Sequence, residues 1–112
     1  MNRFTTVCFF LLSLFAVPAL MAQKPSALKR TGEKQFSNRQ WAEALAALDK
    51  YQQTSPGDLK VLTKIGICHF QLHHAEQAQQ YLEFVLQKDP RNDEPELHYY
   101  LAQTLHGQQQ FE

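Results

Sequence analysis

The residues best suited to chemistry lie between positions 68 and 74, where Cys68, His69, His73 and His74 bring one thiol and three imidazoles together. His69 and His73 are one helical turn apart, a spacing that can bind Zn²⁺. No carboxylate accompanies them as in an HExxH motif, and the apolar pattern places Cys68 and His69 on a core-facing side of a helix. A buried thiol behaves as a small apolar group with a raised pKa. We therefore predict no metal site and no reactive cysteine, with zinc binding as an alternative.

Other patterns that support catalysis are missing from the sequence. It contains no Gly-rich phosphate loop, no Ser-His-Asp arrangement and no cofactor motif. Asp93, Glu94 and Glu96 form the densest group of carboxylates, but they fall in a polar connector and at the start of a helix, where negative charge is favourable. We expect a protein that is not an enzyme and that needs no cofactor.

The first 22 residues have the order of segments found in a secretory signal peptide. A short start with Arg3 precedes the apolar run at residues 7–16, which is too short for the roughly 20 residues of a membrane span. We predict cleavage after Ala22, with cleavage after Ala19 or retention as a membrane anchor as alternatives. The cleaved protein would be exported, periplasmic or outer-membrane-associated, and without a membrane span.

The remaining domain, residues 23–112, has nearly balanced charges. Of the eleven basic residues only Arg3 lies in the signal segment, so ten basic and eleven acidic residues remain and the formal net charge is −1. This balance argues against a nucleic-acid partner, which requires a basic surface. Cys68 is the only cysteine of this domain, so no disulfide framework holds it together.

The same pattern of residues occurs twice, 34 positions apart. The period of 34 is that of a helix–turn–helix repeat, and it defines a first repeat at residues 25–58 and a second at 59–92. Apolar residues recur at helical spacing in both halves of each repeat. The matching pairs are Leu28 and Leu62, Gly32 and Gly66, Phe36 and Phe70, Ala44 and Ala78, Leu48 and Leu82, and Pro56 and Pro90.

A third repeat begins at residues 95–112 and is truncated. An offset of 36 instead of 34 puts Ala102 in the place of Gly32 and Gly66, and Phe111 in the place of Trp41. A helix-pair repeat buries its apolar faces only against neighbours. We therefore expect these residues to be part of a longer protein.

Residues 25–107 resemble the tetratricopeptide repeat. Each of the first two copies has a Gly in its first helix, an Ala in its second and a Pro at its end, and Trp41 opens an aromatic–x–x–Ala–aliphatic motif. The resemblance implies an all-α fold in which helix–turn–helix repeats stack as a right-handed solenoid. The departures are Tyr51 where a small residue is usual, Ala75 where an aromatic is usual, and Ala102 for Gly.

The resemblance further implies a concave groove, lined by the first helix of each repeat, that takes a peptide or a partner protein. The groove-facing positions would be Lys29, Glu33, Phe36 and Ser37, then Thr63, Ile67, Phe70 and Gln71, then Tyr99, Gln103 and His106. Tyr99 stands out because exposed aromatics are typical binding hot spots. One subgroup of the family grips a C-terminal carboxylate with a Lys and two Asn. Lys29 matches that Lys, but Glu33 and Lys64 replace the Asn, so this clamp is not predicted.

These features favour a non-catalytic protein–protein interaction scaffold of the cell envelope. Residues 97–112 resemble the tetratricopeptide segment that precedes propeller-like repeats and an OmpA-like domain in some envelope proteins. A second hypothesis is therefore an N-terminal adaptor of a larger, peptidoglycan-anchored protein. A zinc-binding module or an oligomerisation module would also be compatible with the sequence.

Overall fold

The structure, a computed structural model, describes residues 24–110. The predicted signal peptide (residues 1–22) and Phe111 lie outside this range. Within it the chain forms helices and no strand, which confirms the all-α prediction. The helices are α1 (Pro25–Ser37), α2 (Trp41–Thr54), α3 (Leu59–Gln71), α4 (Ala75–Lys88) and α5 (Pro95–Gln110).

Two turns of the same shape join α1 to α2 and α3 to α4. Arg39 and His73, which are 34 residues apart, both adopt the left-handed backbone conformation, with φ of 60° and 64°. In each turn the following backbone N–H returns to the preceding helix: Gln40 donates to the Gln35 carbonyl at 2.9 Å and His74 to the His69 carbonyl at 2.8 Å. A helix that ends in a left-handed residue lets the chain reverse. The two repeats are therefore helix hairpins of one design.

Glycine allows the two helices of each hairpin to approach closely. A Cβ atom added at Gly32 would lie 2.6 Å from Leu48 Cδ2, and one added at Gly66 would lie 2.8 Å from Leu82 Cδ2. Both leucines are completely buried. Because an added methyl group would overlap a fully buried leucine, glycine is the residue that fits this contact without displacing a side chain.

Helix α3 is the centre of the stack, since it contacts each of the other four helices. Seven of its thirteen residues are buried, more than in any other hairpin helix. Among them Val61 and Ile65 belong to an apolar cluster that includes Leu48 of α2, and Leu97 and Leu101 of α5 join the same cluster. The fold is thus an all-α helical repeat solenoid with one continuous core.

Equivalent contacts between neighbouring repeats support the offset of 36 in the third repeat. The Lys64 ammonium lies 5.8 Å from the centre of the Phe36 ring, and the Tyr100 ring lies 5.2 Å from the Phe70 ring. Phe70 follows Phe36 by 34 residues, whereas Tyr100 follows Lys64 by 36. An offset of 34 would instead align Tyr100 with Gly66, which packs against Leu82.

We expect the substitutions Gly32→Ala and Gly66→Ala to destabilise the fold by about 1–2 kcal/mol each. Overpacking a core costs about 1–3 kcal/mol, and it exceeds the gain of about 1 kcal/mol that Ala brings to a helix. Urea unfolding followed by circular dichroism measures the change.

Gly107→Ala is the matched control, since a Cβ atom there would meet no other atom within 4 Å. This variant should be as stable as the natural chain or up to about 1 kcal/mol more stable. Equal stability changes at Gly32 and Gly107 would contradict the close-contact argument.

Candidate functional site

The residues predicted to line the groove lie on α1, α3 and α5, and they differ widely in accessibility. Tyr99 is 58% exposed. Thr63 and Ile67, by contrast, are only 3% and 1% exposed, and the Thr63 hydroxyl donates to the Leu59 carbonyl of its own helix at 2.9 Å. Whether any of these residues binds a partner stays a prediction, but Thr63 and Ile67 offer almost no surface. We therefore define the groove surface as the other predicted residues: Lys29, Glu33, Phe36, Ser37, Phe70, Gln71, Tyr99, Gln103 and His106.

In the part of the groove surface that the first repeat forms, Lys29 binds Asp58, the residue just before α3. Its ammonium lies 2.9 Å from Asp58 Oδ2, and the Tyr51 hydroxyl donates to the same oxygen at 3.0 Å. The other oxygen, Asp58 Oδ1, accepts the Val61 N–H at 3.3 Å and so caps α3. One carboxylate therefore joins α1, α2 and α3.

These bonds alter the pKa values of both charged partners. The hydrogen bond and the charge of Asp58 raise the pKa of Lys29. For Asp58, burial acts to raise the pKa, but the bonds from Lys29, Tyr51 and the Val61 N–H together outweigh it, so the pKa is lowered. Both groups are therefore held in their charged forms at neutral pH.

Glu33 and Phe36 are also engaged with the second repeat. Glu33 Oε2 lies 3.5 Å from the Lys64 ammonium, which in turn lies over the Phe36 ring. The Phe36 ring also meets Trp41, with ring centres 5.3 Å apart and planes at 79°. Lys29, Glu33 and Phe36 of α1 are thus each in contact with residues of another helix.

Tyr100 organises the other end of the groove surface. Its ring packs edge-to-face with Phe70 and with Tyr99, at 5.2 and 5.1 Å between centres. Its hydroxyl accepts a hydrogen bond from Gln71 Nε2 at 3.3 Å. Tyr99 therefore projects to solvent from an ordered aromatic cluster, and that arrangement leaves a large apolar ring available for contact.

A cleft of about 540 Å³ lies between the starts of α3 and α5. Lys60 and Lys64 line it from α3, while Glu94 and Glu96 line it from the third repeat. Opposite charges thus face the same space. The cleft therefore has an uneven charge distribution, basic on the α3 side and acidic on the α5 side.

The cysteine and histidines that opened the sequence analysis are not assembled into a metal site. Among residues 24–110 no group of three or more His, Cys, Asp or Glu side chains could hold a metal ion. Cys68 is fully buried, and burial raises the pKa of its thiol to about 12. A thiol in that state is neither a good nucleophile nor a good metal ligand.

His69 and His74 do meet, with their Nδ1 atoms 3.2 Å apart. The His69 ring also stacks on Tyr81, 5.5 Å between centres. Burial lowers the pKa of His69 and the nearby His74 lowers it further, against an opposing effect of Asp49. A neutral His69 closes the turn between α3 and α4, which is a structural role.

Comparison with known proteins agrees with this architecture. The tetratricopeptide repeat family matches residues 35–91, which are 57 of the 112 residues. The chain belongs to the tetratricopeptide repeat family. Repeats of this family generally mediate protein–protein interactions and are generally not catalytic. A search of curated proteins found no match.

A helix that crosses a membrane has to be about 20 residues long and largely apolar. No helix in the part of the chain that the structure describes is both long enough and apolar enough to cross a bilayer.

Sequence reasoning missed three residues that organise the groove surface: Tyr51, Asp58 and Tyr100. Asp58 could have been found, since an Asp directly before an apolar helix is a typical N-cap. Tyr51 stands out in the sequence only as a departure from the family. Its hydroxyl, however, reaches a carboxylate seven residues further on. Nothing local in the sequence indicates the contacts of Tyr100, because they depend on how α5 lies on α3.

We expect Asp58→Ala to destabilise the protein at pH 7 by about 1–2 kcal/mol, mainly through loss of the helix cap with a smaller share from the partly exposed ion pair with Lys29. Asp58→Asn keeps a side-chain oxygen that can cap α3, so this variant should lose less stability than Asp58→Ala. The stability that it does lose measures the contribution of the negative charge. Urea titrations at several pH values provide both measurements.

The pH dependence has a definite sign. Because the pKa of Asp58 is lowered by folding, its contribution is complete above the ordinary carboxyl pKa of about 4 and is lost as the pH falls through the lower, folded value. Asp58→Asn should therefore lose less stability between pH 5 and pH 2 than the natural chain. The same acid sensitivity in both proteins would refute the proposed network.

Proposed function

We propose that this chain is a non-catalytic scaffold that binds a peptide or a segment of a partner protein on its groove surface. The observation that carries the proposal is Tyr99, a large aromatic ring that is 58% exposed while its neighbour Tyr100 is packed against Phe70. A rigid aromatic that is already held in place loses little conformational freedom on binding. Such residues contribute disproportionately to protein interfaces.

The charges of the groove surface and of the cleft between α3 and α5 suggest the chemistry of the partner. Lys29 and Lys64 already form ion pairs with Asp58 and Glu33, so neither needs a carboxylate from the bound segment. Glu94 and Glu96 carry negative charge into the cleft that Lys60 borders. A segment with a basic residue near α5, an acidic residue near α3 and an apolar side chain on Tyr99 would complement this surface.

The proposed setting is the cell envelope, and residues 1–22 are the support for it, because they have the composition of a cleaved signal peptide. There the scaffold would act as an interaction module or as the N-terminal adaptor of a larger peptidoglycan-anchored protein. Self-association through α5 is a competing role, since Leu105 is 37% exposed there. Light scattering of the purified protein tests it, because self-association through α5 predicts a dimer in the absence of any partner.

A photo-crosslinking residue placed at Tyr99 should capture a discrete partner in cells, since a partner on the groove surface must pass within reach of that ring. The matched control is the same residue at Phe84, an aromatic of α4 that is 42% exposed and lies outside the groove surface. Electrophoresis and mass spectrometry identify the crosslinked product.

Tyr99→Ala should then reduce the affinity for the captured partner about tenfold or more, as expected of an interface hot spot, while Phe84→Ala should change it less than about twofold. Thermal unfolding of both variants shows whether the fold is intact. Equal crosslinking from both positions, or none from Tyr99, would refute the groove as the binding surface.

Export is tested by fusing the chain to alkaline phosphatase, which is active only outside the cytoplasm. We expect an active fusion with residues 1–22 present and an inactive one when they are deleted. Fractionation after cell lysis then shows whether the product is free in the periplasm or attached to the outer membrane. An active fusion that retains the uncleaved segment would indicate a membrane anchor instead.

A further inference from the structure

The two turns of this chain differ at the residue that opens the second helix. In the first repeat Trp41 opens α2, and its indole packs edge-to-face on Phe36. In the second repeat the equivalent position is Ala75, the first residue of α4, while Phe70 keeps the place of Phe36. The aromatic neighbour is therefore present in both repeats, but the ring that should pack on it is missing from the second.

A pocket of about 400 Å³ lies at this place, between the turn of the second repeat and α5. Phe70, Ala75 and Gly107 line it. With the offset of 36, Gly107 of α5 corresponds to Gln71 of α3. The side of the pocket that α5 forms therefore also lacks a side chain at this position. The space is large enough for an indole ring, and we call it the Ala75 pocket.

The lining of the Ala75 pocket suits an aromatic group that carries one hydrogen-bond donor. The Phe70 ring is fixed by its contact with Tyr100, which gives the guest ring an aromatic surface to pack on. Gln71, Gln103 and Gln108 also border the pocket, and each has an amide oxygen that can accept a hydrogen bond. An indole has one N–H donor and no acceptor, so it matches this combination better than a phenyl ring.

We propose that the Ala75 pocket binds an indole ring, supplied by a tryptophan side chain of a partner protein in the way that Trp41 fills the equivalent space of the first repeat. Gln71 and Gln103 belong to both the pocket and the groove surface, so a bound segment can reach both. That the ring comes from a partner protein rests on the proposed function. The capacity of the pocket to hold an indole does not.

The test is a titration of the isotope-labelled full chain with N-acetyl-tryptophanamide, followed by nuclear magnetic resonance. Backbone signals of Phe70, Ala75 and Gly107 should shift and saturate, while N-acetyl-leucinamide should leave them unchanged. In Ala75→Trp the chain supplies its own indole, so the affinity for the added amide should fall at least tenfold. Thermal unfolding of this variant should be unchanged or shifted upward, which distinguishes a filled pocket from a damaged fold.

Ala75→Ser is the control that changes the same residue without filling the space, and it should bind the tryptophan amide within about twofold of the natural chain. Equal binding of the leucine amide, or undiminished binding by Ala75→Trp, would overturn the proposal. If free indole bound tenfold more tightly than the tryptophan amide, the pocket would be a site for small molecules. That result would overturn the proposal that a partner protein supplies the ring.

The two proposals fail separately. If the tryptophan amide binds but Tyr99 captures no partner, the scaffold function is refuted and the indole site stands. If Tyr99 captures a partner whose affinity is unchanged by Ala75→Trp, the groove stands and the tryptophan anchor is refuted.

Discussion

The contact between a leucine of one helix and a glycine of the other sets the distance between the two helices in each hairpin. Leu48 lies where a side chain at Gly32 would be, and Leu82 lies where one at Gly66 would be. With the two helices this close, the rest of their facing surfaces can pack without voids. The stacking of repeats depends on it in turn, because α3 can contact its neighbours on both sides only if each hairpin is narrow and both have the same shape.

Much of this fold could be predicted from the sequence, because the information that specifies a hairpin is local. The 34-residue period, the two glycines and the apolar residues at helical spacing identified the helix pairs and their order. The ends of the helices are less clearly specified, since α5 runs through Gly107 and continues to Gln110. Gly107 does not stop it, since a glycine inside a helix lowers stability without ending the helix.

The candidate site was harder to predict because its contacts join residues far apart in the sequence. Lys29 and Asp58 are separated by 29 positions, as are Gln71 and Tyr100. Such pairs form only when the angle between neighbouring repeats is fixed, and no local pattern gives that angle. The burial of Thr63 and Ile67 has the same origin. Likewise Ala75 is visible in the sequence as a departure from the family, but the space beside it exists only once α5 is in place.

The two junctions between repeats are built from different interactions. Besides its share of the apolar core, the first contains two ion pairs, Lys29 with Asp58 and Glu33 with Lys64. At the second, Tyr100 meets Phe70 and Gln71, both uncharged. Dissolved ions screen exposed charges and hardly affect ring packing. Rising ionic strength therefore weakens the two ion pairs of the first junction more than the ring contacts of the second, so the two junctions respond differently to the salt concentration around the protein.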